Sequence, residues 1–113
     1  MSDVLRINAS TRSDRNLIIA RAKEAILQSG GWVLDFWLFS NISICINFEI
    51  VTANIEELRA ALNQLDLRLS KQSHEALESF KDEQKEGDIK GALQITFIHD
   101  EPDLRRDVPA IPG

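Results

Sequence analysis

Three sets of side chains in this sequence have the types that chemistry needs. Arg6, Asp35, Asn47 and Glu49 combine a cation, two acids and an amide in stretches with strand alternation. On one sheet face Arg6 could hold a carboxylate and Asp35 or Glu49 an amine. A flat sheet seldom encloses a small ligand, so the same residues read better as the polar part of a dimer face, with Arg6 paired to a neighbouring acid. Ser10, Thr11 and Arg12, followed by Ser13 and Arg15, lead into a helix start, where free amides and the helix dipole attract a phosphate or carboxylate. Ordinary capping uses the same hydroxyls. The third set is an acid–base reading, with Asp35, Glu49 or His99 moving a proton and Arg6 or Arg12 holding an anionic substrate.

Other candidates carry less. Cys45 has no histidine near it in sequence and sits in an apolar strand, which describes an inert thiol. His74 and His99 lack the spaced cysteines or acidic cluster of a metal site. The acids between Glu75 and Asp88 alternate with lysines as a solvated face does. No residue is assigned a catalytic role from sequence, and no metal or cofactor is expected.

Composition narrows the classes. A 113-residue chain with 43% hydrophobic and 27% charged residues matches one ordinary globular domain. That length buries roughly 65% of the unfolded surface, enough for a core without staples. A net charge of −5 opposes a phosphate backbone, so no nucleic acid partner is expected. The longest apolar run contains Asp35, Ser40, Asn41 and Ser43, which no bilayer-spanning helix would carry, so no membrane partner is expected either. With a single cysteine, and SDVLRINAS after Met1 in place of a basic and apolar export signal, the expectation is a cytoplasmic protein.

The elements that must position these residues follow in order. Val4 to Asn8 alternates as a short strand. Residues from Ser10 to Ser13 supply caps for a helix starting near Asp14, whose stripe is Ile18, Ala22, Ala25 and Ile26, widened by Leu17 and Leu27. Gly30 and Gly31 stop it. A β-hairpin follows over Gly30 to Val51, with Ile42, Ile44, Ile46, Phe48 and Ile50 on one face of its second arm. A three-residue loop, Ser40 to Ile42, places Trp32, Leu34, Phe36 and Leu38 beside those isoleucines. It sets Asp35 opposite Asn47 and leaves Val33, Asp35, Trp37 and Phe39 on the other face. Asn54 and Glu57 have capping-box spacing ahead of a helix whose stripe runs Ile55, Leu58, Leu62, Leu65 and Leu69. Residues 70–86 read as a short helix or mobile connection. Lys90 to His99 restores strand alternation, and prolines at 102, 109 and 112 make residues 100–113 an extended or disordered tail.

Strand, helix, strand, strand, helix, strand predicts an α+β fold over residues 1–99. Specifically it predicts a ferredoxin-like βαββαβ sandwich, an antiparallel sheet with two helices on one face. First and third strands are then central, and second and fourth are edges. The second strand carries no Lys or Pro and only Asp35 as a charge, so it lacks most devices that keep an exposed edge from pairing. The expected partner is a second copy of the chain through Val33, Asp35, Trp37 and Phe39, and not cover from the tail or from residues 70–86.

With its order of elements, its polar loop Ala9-Ser10-Thr11-Arg12-Ser13 and its edge contact, the chain resembles ACT domains over residues 4–99. Those small regulatory modules often bind amino acids where two domains meet, though they often carry a glycine in this loop. The resemblance implies a non-catalytic, dimeric regulatory module with a small anionic or amino-acid-like ligand. Related families lack their marks here. Ser43, Cys45, Asn47 and Glu49 stand where RNA-recognition motifs have stacking aromatics. One cysteine cannot form a Cys-x-x-Cys metal loop. Gly31-Trp32-Val33 is similar to acylphosphatase sequences, but their glycine-rich phosphate loop is missing.

Overall fold

The computed structural model describes residues 4–40, 42–83 and 87–98. Five strands form one mixed sheet: β1 (Val4–Thr11), β2 (Trp32–Ser40), β3 (Ser43–Val51), β4 (Arg68–Leu69) and β5 (Asp88–Phe97). Three helices, α1 (Arg15–Gln28), α2 (Ile55–Asn63) and α3 (Lys71–Glu83), connect them and cover one face. The strand order is β2-β3-β5-β1-β4.

The α+β class is as expected, but the ferredoxin-like order and the all-antiparallel sheet are not. The last long strand, expected at an edge, lies in the centre. It pairs antiparallel with β3 and parallel with β1, so first and third strands are not neighbours. Alternating apolar residues cause this burial without specifying the position. Leu93, Ile95 and Phe97 of β5, Leu5, Ile7 and Ala9 of β1, and Ile44, Ile46, Phe48 and Ile50 of β3 all point to the helix side and are buried.

Helix α1 has the expected ends. Asp14 is its N-cap, accepting from Leu17 N–H at 3.0 Å. Its C-terminus closes when Gly31 N–H donates to Ile26 O and Gly30 N–H to Leu27 O, with Gly30 at φ 87°, where only glycine is unstrained. Ile18, Ala22, Ala25 and Ile26 face the core, while Leu17 and Leu27 are exposed and do not widen the stripe. The Asn54–Glu57 capping box does not form. A 3-10 turn, Thr52–Asn54, precedes α2, and the Asn54 side chain makes no cap bond. Helix α2 ends at Asn63, so Leu69 joins β4 and not the helical stripe.

Residues expected to form a short helix or mobile connection give α3, which protects an edge. β4 pairs with β1 only at Ala9 and Ser10. Beyond it, Ser70 N–H donates to Asn8 O at 2.9 Å. Ser73 Oγ accepts Asn8 N–H at 2.6 Å and stands 3.2 Å from Asn8 O. The Ser73 side chain thus does a strand's work, and it is 1% exposed. Ser73→Ala should cost about 1 kcal/mol, since the Asn8 amide loses a part-buried hydrogen bond. Urea unfolding would read this, with Ser79→Ala on the exposed side of α3 staying within about 0.5 kcal/mol of the parent.

Candidate interaction edge

Among the described residues the opposite edge, β2, has no such cover. Its register with β3 matches the expected one in the middle: Asp35 pairs with Asn47, Phe36 with Ile46, Trp37 with Cys45 and Leu38 with Ile44. At both ends it slips. Val33 pairs with Phe48, leaving Leu34 as an extra residue, and Ser40 pairs with Ser43, leaving Phe39 as another. The first slip moves Val33 to the helix side, where it packs on the core, and sends Trp32 to the open face opposite Glu49. Val33 therefore does not share a face with Asp35 and Trp37, because a one-residue bulge reverses the alternation.

Six large apolar residues of β2 are exposed: Trp32, Leu34, Phe36, Trp37, Leu38 and Phe39, with Trp37 at 60% and Phe39 at 63%. They lie on both faces of the strand. Lys23 Nζ of α1 stands 4.0 Å from the Phe36 ring centroid, a cation–π contact that shields part of the helix-side face. Helix α3 packs against β1 at the far side of the sheet, so residues 71–79 do not cover β2. The tail and His99 lie outside the described residues.

Away from the helices the sheet carries continuous cross-strand rows. Arg6, Ala92, Asn47 and Asp35 form one, and Asn8, Gln94, Cys45 and Trp37 the next. Glu49 adjoins them beside Trp32 and Lys90. Asn47 Nδ2 donates to Asp35 Oδ1 at 2.7 Å and Cys45 Sγ lies 3.7 Å from Asn47 Oδ1. The face is the expected one, but three strand spacings, about 14 Å, separate the Arg6 and Asp35 backbones.

No family model, curated protein or solved structure matches the chain.

The remaining expected ligand residues form a separate place. A cleft of about 410 Å³ at the carboxyl ends of β1 and β5 is lined by Ser10, Thr11, Arg12, Asp66, Leu67, Arg68 and Ile98. Asp66 and Arg68, between α2 and β4, escaped the sequence reading because nothing local marks them. The Thr11 hydroxyl is engaged within the chain. The residue is buried, donates from Oγ1 to Asp66 O at 2.5 Å and accepts from Ser13 N–H, while Ser13 Oγ donates to the Asp66 carboxylate. These bonds fasten the loop before α1 to the loop after α2.

Burial pushes the Cys45 thiol up in pKa, the Asp35 carboxylate adds to the rise and Arg6 works against it. The thiolate is thereby depleted relative to a free cysteine. Iodoacetamide should alkylate Cys45 several-fold more slowly than glutathione at pH 8, and Asp35→Asn should speed it. Equal rates in parent and variant would contradict the electrostatic part. Among the described residues no three His, Cys, Asp or Glu side chains are grouped to hold a metal ion, and no helix is long and apolar enough to cross a membrane.

Proposed function

We propose that this protein is a non-catalytic association module that works as a homodimer through β2. One observation carries the reading. A nine-residue edge strand without Lys, Arg or Pro exposes large apolar side chains on both faces, whereas the other edge is covered at Asn8 to Ser10 by β4, Ser70 and Ser73. The exposed apolar surface of β2 amounts to about 500 Å². Two copies together carry about 1,000 Å² of such surface, the ceiling on what pairing can bury and the size at which specific interfaces begin. The reading does not lean on the resemblance to ACT domains, because β5 lies between β1 and β3.

A small anionic ligand, if the module takes one, fits the cleft beside Arg12 and Arg68 better than the open sheet face, since the cleft is concave. Thermal shift against inorganic phosphate and small organic acids reads this part, with stabilisation of about 2.7 kcal/mol at 100 times the dissociation constant.

Light scattering after size exclusion tests the dimer. The expected mass at tens of micromolar is twice the 12.8 kDa of the chain. A monomer at that concentration overturns the reading.

A further inference from the structure

We infer that two copies join by antiparallel pairing of β2 with β2 about a two-fold axis at Trp37, making one continuous ten-stranded sheet; this rests on the dimer reading above. The hydrogen-bond phase of the sheet supplies the geometry. Phe97 N–H donates to Ile42 O and Ile98 N–H to Thr11 O, so in β5 the odd-numbered residues bond toward β3 and the even-numbered toward β1. In an antiparallel pair such bonds recur at every second residue. Ile44 and Ile46 therefore bond to β5, and Cys45 and Asn47 bond to Trp37 and Asp35 of β2. Phe36 and Leu38 are left with N–H and C=O turned outward, away from the sheet.

The bulges at Leu34 and Phe39 limit the regular edge to Asp35, Phe36, Trp37 and Leu38. Within it, only a register centred on Trp37 lets both outward residues bond, Phe36 of each copy with Leu38 of the other. That closes four backbone hydrogen bonds. An axis at Phe36 would pair Phe36 with itself and send Leu38 to the bulge.

Side chains agree with this register. The two Trp37 rings face each other in the narrow, non-hydrogen-bonded position, with Cβ atoms about 4.5–5.5 Å apart. The two Asp35 carboxylates fall four residues apart along the seam, about 13 Å, beyond most screened repulsion. On the helix side, Lys23 of α1 stands over the Phe36 ring, next to the seam.

Amide hydrogen exchange on the full-length chain, run beside light scattering, tests the pairing. A dimer with the Phe36 and Leu38 amides protected at least 100-fold over their exchange at high dilution is the expected result. A dimer in which both exchange freely means packing through sheet faces, which overturns this inference and leaves the dimer reading standing. A monomer with both amides protected means that another part of the same chain pairs with β2, and a monomer with both exposed means that nothing does; each overturns the inference and the dimer reading together. The register is read separately in a Cys45→Ser background. Trp37→Cys should form a disulfide-linked dimer under mild oxidation and Asp35→Cys should yield less than a tenth as much. The reverse order of yields places the axis elsewhere.

Discussion

Replacing Gly91 by alanine should destabilise the fold by about 1–3 kcal/mol, a large part of the 5–15 kcal/mol that holds a domain together. Gly91 occupies the core side of β5, between Leu5 on β1 and Phe48 on β3. The Phe48 ring lies across it. A Cβ there would come within 2.3 Å of Cζ and 2.7 and 2.8 Å of the two Cε atoms. The ring cannot swing out, because Phe48 is fully buried and an interior packed to crystal density has no free rotamer nearby. Either β5 shifts away from β3 or the ring is forced off its rotamer, and both disturb the strand that joins the two halves of the sheet. Phe48→Ala should cost about 3–5 kcal/mol by the opposite route, an emptied core. In the double variant Gly91→Ala with Phe48→Leu, the shorter side chain vacates the contested space. The two changes should then couple favourably by about 1 kcal/mol or more in urea unfolding. Gly91→Ala within 0.5 kcal/mol of the parent would show that β5 yields more easily than the contacts indicate.

Gly91 also shows why the place of the last strand was hidden in the sequence. Alternation of Leu93, Ile95 and Phe97 says that one face is buried, and that holds equally for an edge strand and a central one. What distinguishes the two is the partner on the second side, set by where α3 delivers the chain. The local features were legible because neighbours in sequence determine them: the Asp14 cap, the Gly30–Gly31 stop, and the alternation of β3. The end of α2 was not. Leu65 and Leu69 continue the helical stripe of Ile55, Leu58 and Leu62, but a spacing of four also fits a strand period of two, and Leu67 lies between them. No Gly or Pro marks the break after Asn63.

The candidate site was legible to a similar depth. Asp35 opposite Asn47 followed from keeping a carboxylate out of the core, and the open-face residues Arg6, Asp35, Trp37, Cys45, Asn47, Glu49 and Gln94 do share a face. The bulge at Leu34 was invisible because the run Trp32 to Phe39 is apolar on both faces, so no pattern penalises a one-residue slip. The bond from Thr11 to Asp66 was not legible, because its partner lies 55 residues away in sequence.

Trp37→Lys should raise the dissociation constant of the dimer at least 100-fold, about 2.7 kcal/mol or more, while leaving the monomer nearly as stable as before. The two effects separate because Trp37 is 60% exposed in the single chain and contributes little to its core, so a surface change there stays within about 0.5 kcal/mol. In the proposed dimer the same position meets its own copy across the axis. The substitution removes two stacked indoles, brings two ammonium groups face to face, and installs the residue that protected edges use to refuse a partner. Leu17→Lys is the matching control. Leu17 is comparably exposed but shares its stripe with Arg21, Glu24 and Gln28, which line a groove against α2 on the side of α1 away from Lys23 and β2. Both variants lose an exposed apolar side chain and gain one charge, so general effects on solubility or net charge should appear in both. Sedimentation equilibrium should therefore find the Leu17 variant as dimeric as the parent and the Trp37 variant monomeric. Equal weakening of the two would mean that bulk charge, and not the β2 seam, governs association.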